Sequence, residues 1–71
     1  MTEYVAIYER VADGGWGAYL PDLPGVIGLG ATTREEVEQR LAEALAAYAE
    51  LMADGERPLP DPVSHSGVVR V

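Results

Sequence analysis

The sequence contains no cysteine, few basic residues and no long hydrophobic run. Without cysteine the chain can form neither a disulfide nor a thiolate metal site. No apolar run approaches the roughly 20 residues that a membrane-spanning helix needs, and the N-terminus lacks a basic, apolar signal segment. We therefore expect a cytoplasmic protein that does not contact the membrane.

Positive charge is also scarce. Five arginines and no lysine stand against twelve acidic residues, which gives a net charge of −7. A chain of this sign repels phosphate backbones, so we expect no direct binding of nucleic acid. Two interpretations of the acidic surplus stay open: it serves solubility alone, or it attracts a basic partner protein.

The length of the chain limits the size of its core. A chain of 71 residues makes one domain, and at about this length only about 60% of the unfolded surface becomes buried. Its apolar fraction of 48% is ordinary for a folded protein. We expect a single domain over residues 1–71 that gains stability by forming a homo-oligomer, a dimer or higher.

The N-terminal quarter of the chain has the pattern of a β-hairpin. Residues 4–11 are rich in β-branched and aromatic residues and alternate loosely, which predicts a strand. Residues 12–15, ADGG, are typical of a turn, and residues 16–20 predict the returning strand. We take Val11 and Trp16 as the pair that closes this hairpin.

The segment PDLPG predicts a stiff reversal of the chain. Pro21 ends the second strand because proline has no N–H to donate to a ladder. The next residues match a type II turn, with Pro24 at its second position and Gly25 at its third, where φ is positive. The residues assigned to this structural turn are Pro21, Asp22, Leu23, Pro24 and Gly25.

A long amphipathic helix is the clearest element of the sequence. Thr32 and Glu35 match a capping box, with Thr32 as N-cap and Glu35 reaching back to it. Asp54 and Gly55 predict the end of the helix after roughly 20 residues. Its apolar stripe consists of Val37, Leu41, Ala44, Leu45, Tyr48, Leu51 and Met52.

A third strand at residues 26–29 and a final strand at residues 67–71 complete the predicted architecture. The element order β-β-β-α-β predicts an α+β fold. We expect a mainly antiparallel four-stranded sheet, in the order 3-2-1-4, with one long helix on one face.

One helix covers one face of such a sheet, so the other face carries exposed side chains. With Val11 opposite Trp16, the side that faces the helix carries Val5, Ile7, Val11, Trp16, Ala18 and Leu20. The open side then carries Tyr4, Ala6, Tyr8 and Tyr19. We interpret Tyr4, Tyr8 and Tyr19 as a candidate protein interface; alternatively, loops or termini cover them.

No motif for chemistry stands out. The glycines at 25, 28 and 30 do not form a nucleotide-binding loop. His65 is the only histidine, and neighbouring Ser64 and Ser66 do not by themselves make a catalytic triad. The glutamates of the helix have the pattern of a solvated face. We therefore predict a non-enzyme with no catalytic residue, no cofactor-binding residue, no metal site and no cofactor.

Three stretches together resemble the HicB-like antitoxin family. These are GGWGAYLPDLPG at residues 14–25, GATTREE at residues 30–36, and the long helix that ends at Gly55 before LPDP at residues 59–62. The resemblance covers about residues 4–62. The chain departs from the family pattern at Ala31, where the family usually has aspartate, and at Val37, where it usually has alanine.

The resemblance implies a degraded ribonuclease H-like fold without catalysis of its own. It implies a partner, a small basic mRNA-cleaving toxin of the HicA-like type, which the antitoxin binds and masks. Many members carry a further C-terminal DNA-binding domain, and we expect none in residues 1–71.

Two further functions compete with toxin neutralisation. The chain could be an orphan HicB-like homo-oligomeric protein with an unrelated partner or ligand. A residual nuclease would need clustered acidic residues to bind Mg²⁺, and the predicted strands do not bring three together.

Overall fold

The computed structural model describes residues 2–71, which form a three-stranded antiparallel sheet with one helix packed on one face. The elements are β1 (Ile7–Arg10), β2 (Trp16–Leu20), β3 (Leu23–Ala31) and α1 (Arg34–Asp54). The strands lie in the order β1-β2-β3, and α1 packs mainly against β3 and β2.

The predicted four-stranded sheet in the order 3-2-1-4 is wrong. Residues 67–71 form no strand, and Val68 and Val69 are 92% and 94% exposed. A β-branched sequence favours a strand only where another strand or a packed face receives it. Hydrogen bonds to Tyr4 and Asp22 hold residues 60–64 against the domain. Residues 67–71, which follow them, are exposed.

The predicted type II turn is also wrong. Leu20 pairs with Leu23, so Pro21 and Asp22 alone connect β2 to β3. Gly25 lies inside β3, and the glycines with positive φ are Gly14 and Gly30. Leu20 and Leu23 are 3% and 1% exposed, so the two residues that flank the connection both pack into the core.

The register of the first hairpin differs by one residue from the prediction. Arg10, not Val11, pairs with Trp16, because Val11 bonds with Gly15 and closes the loop. Side chains alternate along a strand, so a shift of one residue moves every β1 side chain to the opposite face. Tyr8 consequently lies opposite Ala18 on the helix side, and Ile7 lies opposite Tyr19 on the open side.

The core lies between α1 and the sheet. Its fully buried side chains are Ala18, Leu20, Leu23, Val26 and Ala31 from the sheet, and Val37 and Leu41 from the helix. Gly28 lets the helix approach closely: a Cβ at this position would lie 3.3 Å from the Leu41 amide nitrogen. Sheet and helix thus meet backbone to backbone at this point.

Helix α1 begins one residue later than the predicted capping box places it. The N-cap is Thr33, whose Oγ1 accepts a hydrogen bond from the Glu36 amide at 3.1 Å. Thr32 instead donates its hydroxyl to Glu36 Oε1 at 2.6 Å. Both threonines have glutamate three residues ahead, so the sequence pattern fits either one. The structure selects Thr33 and Glu36 rather than Thr32 and Glu35.

Candidate protein-binding surface

The sheet face opposite α1 exposes a continuous group of apolar side chains. Val11, Tyr19, Ile27 and Leu29 are 44%, 39%, 49% and 63% exposed. On β3 the side chains alternate, so that Val26 points into the core while Ile27 points outward. This set, which we name the open face, remains exposed because the single helix covers the other side.

The open face carries a shallow depression. A groove of about 560 Å³ runs across it, with Tyr19, Ile27 and Leu29 on its walls and Pro21 and Pro24 at one end. Gly17 also lines the groove and lies between Leu29 and Val11: a Cβ there would be in ordinary contact with their side chains, at 3.7 Å and 3.8 Å. A shallow apolar groove of this kind fits side chains of another protein better than a charged ligand.

The structure does not bring the three predicted interface tyrosines together. Tyr19 lies on the open face, as expected. Tyr8 packs against the core on the helix side, with the Arg34 guanidinium 5.1 Å above its ring. Tyr4 also packs against the core, and its hydroxyl donates to the Pro60 carbonyl at 2.6 Å. The alternation in VIGLG was the signal that could have assigned Ile27 and Leu29 to this face instead.

The outward side of α1 is acidic. Within residues 2–71, the two ion pairs join Arg34 to Glu38 at 3.1 Å and Arg40 to Glu36 at 3.8 Å. The hydroxyl of Thr32 keeps the pKa of Glu36 below its ordinary value, with a smaller contribution from Arg40. Three exposed glutamates of α1 have no cationic partner among the described residues: Glu35, Glu43 and Glu50.

Asp22, which the sequence assigns only to a turn, binds the C-terminal part of the chain. Its carboxylate accepts hydrogen bonds from the Val63 and Ser64 amides, both at 3.0 Å, and from the Ser64 hydroxyl at 2.8 Å. These bonds, those to Ser64 first, hold the pKa of Asp22 below its ordinary value. Asp22 therefore attaches residues 57–66, which we name the connector, to the β2–β3 turn.

The residues considered for chemistry are dispersed. Ser64 uses its hydroxyl proton to bond Asp22, and His65 is exposed in the connector. Among residues 2–71, no group of three or more His, Cys, Asp or Glu side chains is placed to hold a metal ion. The described part of the chain contains no helix of the length and apolar character needed to cross a membrane.

The chain matches a family model over residues 4–70, nearly its whole length. The family is described as the HicB_like antitoxin of bacterial toxin-antitoxin system. The match confirms the resemblance seen in residues 14–25 and 30–36, and it extends beyond the connector into the C-terminal residues. No curated protein and no solved structure matches the chain.

Proposed function

Because the chain belongs to the HicB-like antitoxin family of bacterial toxin–antitoxin systems, we propose that it neutralises a small basic, mRNA-cleaving toxin. The toxin is of the HicA-like type, and it is masked by protein–protein contact rather than by any catalysis of the antitoxin. Since mRNA is cleaved in the cytoplasm, the proposal places the protein there. It also assigns the chain a homo-oligomeric state and no DNA-binding module within residues 1–71.

The observation that carries this proposal is the open face, an exposed apolar groove on a strongly acidic domain. Four apolar side chains lie there in contact with solvent, while the chain has a net charge of −7. Interfaces gain most of their affinity from a few well-buried anchor residues, among which tyrosine is enriched. We assign this role to Tyr19, Ile27 and Leu29, the side chains that form the walls of the groove.

The acidic surface supplies the complementary long-range attraction. Glu35, Glu43 and Glu50 project from α1 without cationic partners among residues 2–71. A protein that binds RNA presents positive charge, and an acidic partner is drawn to that charge at increased rates. Association should therefore slow as salt is added, because exposed charges are screened beyond about 8 Å at physiological ionic strength.

The test is protection of an RNA substrate from the basic toxin encoded beside this chain. We expect the wild-type chain to bind the toxin. RNA cleavage should stop when at most one antitoxin chain is present per toxin chain. Ile27→Arg places a cation in the groove and should weaken binding by tenfold or more, a loss of about 1.4 kcal/mol. Leu51→Arg is the matched control: Leu51 is 70% exposed on α1, outside the groove, and this variant should still protect the RNA.

Other outcomes would contradict the proposal. Equal protection by Ile27→Arg and Leu51→Arg would remove the open face from the interface. Tight operator binding by this chain alone, or metal-dependent RNA cleavage by the purified protein, would contradict the non-catalytic antitoxin role. Failure to bind any toxin encoded beside it would favour the orphan homo-oligomer with an unrelated partner.

A further inference from the structure

Residues 67–71 have the composition of a strand but no partner within residues 2–71. Val68 and Val69 are almost fully exposed, as is Val71, and no backbone hydrogen bond links this segment to the rest of the described chain. β-branched residues favour extended structure that packs on a neighbour. We name residues 67–71 the tail.

The start of the tail is fixed close to β1. Asp22 binds the Ser64 amide and hydroxyl, and the Tyr4 hydroxyl binds the Pro60 carbonyl. Tyr4 lies only three residues before the first residue of β1, Ile7. These contacts lie seven and three residues before residue 67, at the end of the sheet that carries the β2–β3 turn and the N-terminal end of β1, so the tail leaves the body at this end of the sheet.

The two edges of the sheet differ in their capacity to accept another strand. The outer edge of β3 is blocked: Pro24 has no N–H, Gly30 has a φ of +74°, and Arg40 Nη1 donates to the Leu29 carbonyl at 2.6 Å. Proline and side chains that occupy backbone groups are common protections of an edge. No strand of residues 2–71 pairs with the outer side of β1, and alternate residues of an edge strand point their backbone groups outward.

The charges of the tail and the body are opposite. Four arginines and all twelve acidic residues precede residue 62, which leaves −8 for residues 1–61 and +1, from Arg70, for residues 62–71. On β1 itself the exposed Glu9 and Arg10 balance each other, so the negative charge belongs to the body as a whole. The tail is thus attracted to the acidic body of any copy of this chain that presents its β1 edge.

We propose that the tail of one molecule adds as a strand to the free edge of β1 in a second copy, and that the second copy returns the exchange. Each chain carries both the tail and the free edge of β1. In a dimer with a two-fold axis, each tail therefore pairs with the β1 edge of the other chain. Strand addition gives the tail its missing backbone partners and covers its valines. This inference goes beyond toxin binding and does not use the anchor side chains assigned to the toxin, Tyr19, Ile27 and Leu29.

The first test is the mass of the intact protein in solution. Light scattering should give twice the chain mass of 7.6 kDa. Val69→Asp should raise the dissociation constant of the dimer by at least about tenfold, since each dimer loses two buried valines. Leu51→Asp makes the same charge change at a residue that is 70% exposed on α1, and it should leave the dimer intact. Both substituted side chains are exposed, so circular dichroism should show unchanged folding.

A second test locates the contact. The chain has no cysteine, so two single-cysteine variants, Glu9→Cys and Val69→Cys, can be mixed and treated with a short bis-maleimide. A cross-link between the two different variants can form only between molecules, and we expect it; Leu51→Cys mixed with Glu9→Cys should give none. A monomeric wild-type protein at high micromolar concentration would overturn the proposal, as would a dimer that Val69→Asp leaves unchanged.

Discussion

Replacement of Gly28 by alanine tests the packing of α1 on the sheet. The added methyl group would lie 3.3 Å from the Leu41 amide nitrogen and 3.4 Å from both the Val37 carbonyl oxygen and its Cγ2. Two of these neighbours are helix backbone atoms, which cannot rotate away as a side-chain end can. Either α1 or β3 must therefore shift by a few tenths of an ångström.

The size of the effect follows from two opposed contributions. Overpacking of a core typically destabilises the fold by about 1–3 kcal/mol. Replacing a glycine by alanine also lowers the conformational entropy of the unfolded chain, which stabilises the fold by about 0.4–1 kcal/mol. We expect Gly28→Ala to lose about 1 kcal/mol net, and Gly28→Val to lose more because of its two further methyl groups. Gly25→Ala is the matched control in the same strand: its Cβ meets no atom within 4 Å and its φ is not positive, so this variant should gain about 0.4–1 kcal/mol.

Urea unfolding followed by circular dichroism and by the fluorescence of Trp16, the single tryptophan, measures this difference. All variants must be compared at one protein concentration, because self-association makes the midpoint depend on concentration. The midpoint of thermal unfolding should move by about 4–8 °C per kcal/mol in a domain of this size. If Gly28→Ala proves as stable as Gly25→Ala or more so, the close approach of α1 to β3 is wrong.

Three further predictions concern the core, the helix cap and the connector. Leu41→Ala should cost about 2–5 kcal/mol, because Leu41 is 4% exposed, whereas Leu51→Ala at 70% exposure should stay within about 0.5 kcal/mol of wild type; urea midpoints report both. Thr33→Ala should lose about 1 kcal/mol and Thr32→Ala less, since Thr33 alone caps the Glu36 amide; thermal midpoints that rank the two variants in the reverse order would contradict this cap. The folded pKa of Asp22 lies below its ordinary 3.8, so its stabilising contribution is present above that value and is lost as pH falls through the folded pKa. Asp22→Asn should flatten this acid dependence and speed hydrogen exchange at the Ser64 amide, and an unchanged profile would rule out the carboxylate as the cause.

The site could be predicted from the sequence only in part. The alternation of the second strand, WGAYL, predicts that Tyr19 lies on the open face. Ile27 and Leu29 alternate in the same way and lie in the third strand predicted at residues 26–29, but without a register against the second strand the sequence assigns neither of them to a face. The bonds from Asp22 to Ser64 join residues 42 positions apart, and nothing in either local sequence indicates such a contact.

The sequence by itself determined the features that depend on neighbours along the chain. The apolar stripe and Gly55 placed a long helix with its end correct, and the cap was wrong by one residue because Thr32 and Thr33 fit the same pattern. The family motifs and the net charge of −7 are also properties of the chain as written. None of these features depends on how the chain folds in three dimensions. Helix hydrogen bonds join residues four positions apart, and the net charge is the sum of the individual charges.

Only the tertiary structure decided the features that depend on distant partners. The choice of Arg10 over Val11 as the partner of Trp16 reversed the two faces of β1, and burial of Leu20 and Leu23 moved the turn to Pro21 and Asp22. Side chains alternate with a period of two, so the energy that selects a register comes from which face is buried. The same reason explains the missing fourth strand: a strand forms where a partner receives it, and within one chain the tail has none among the described residues.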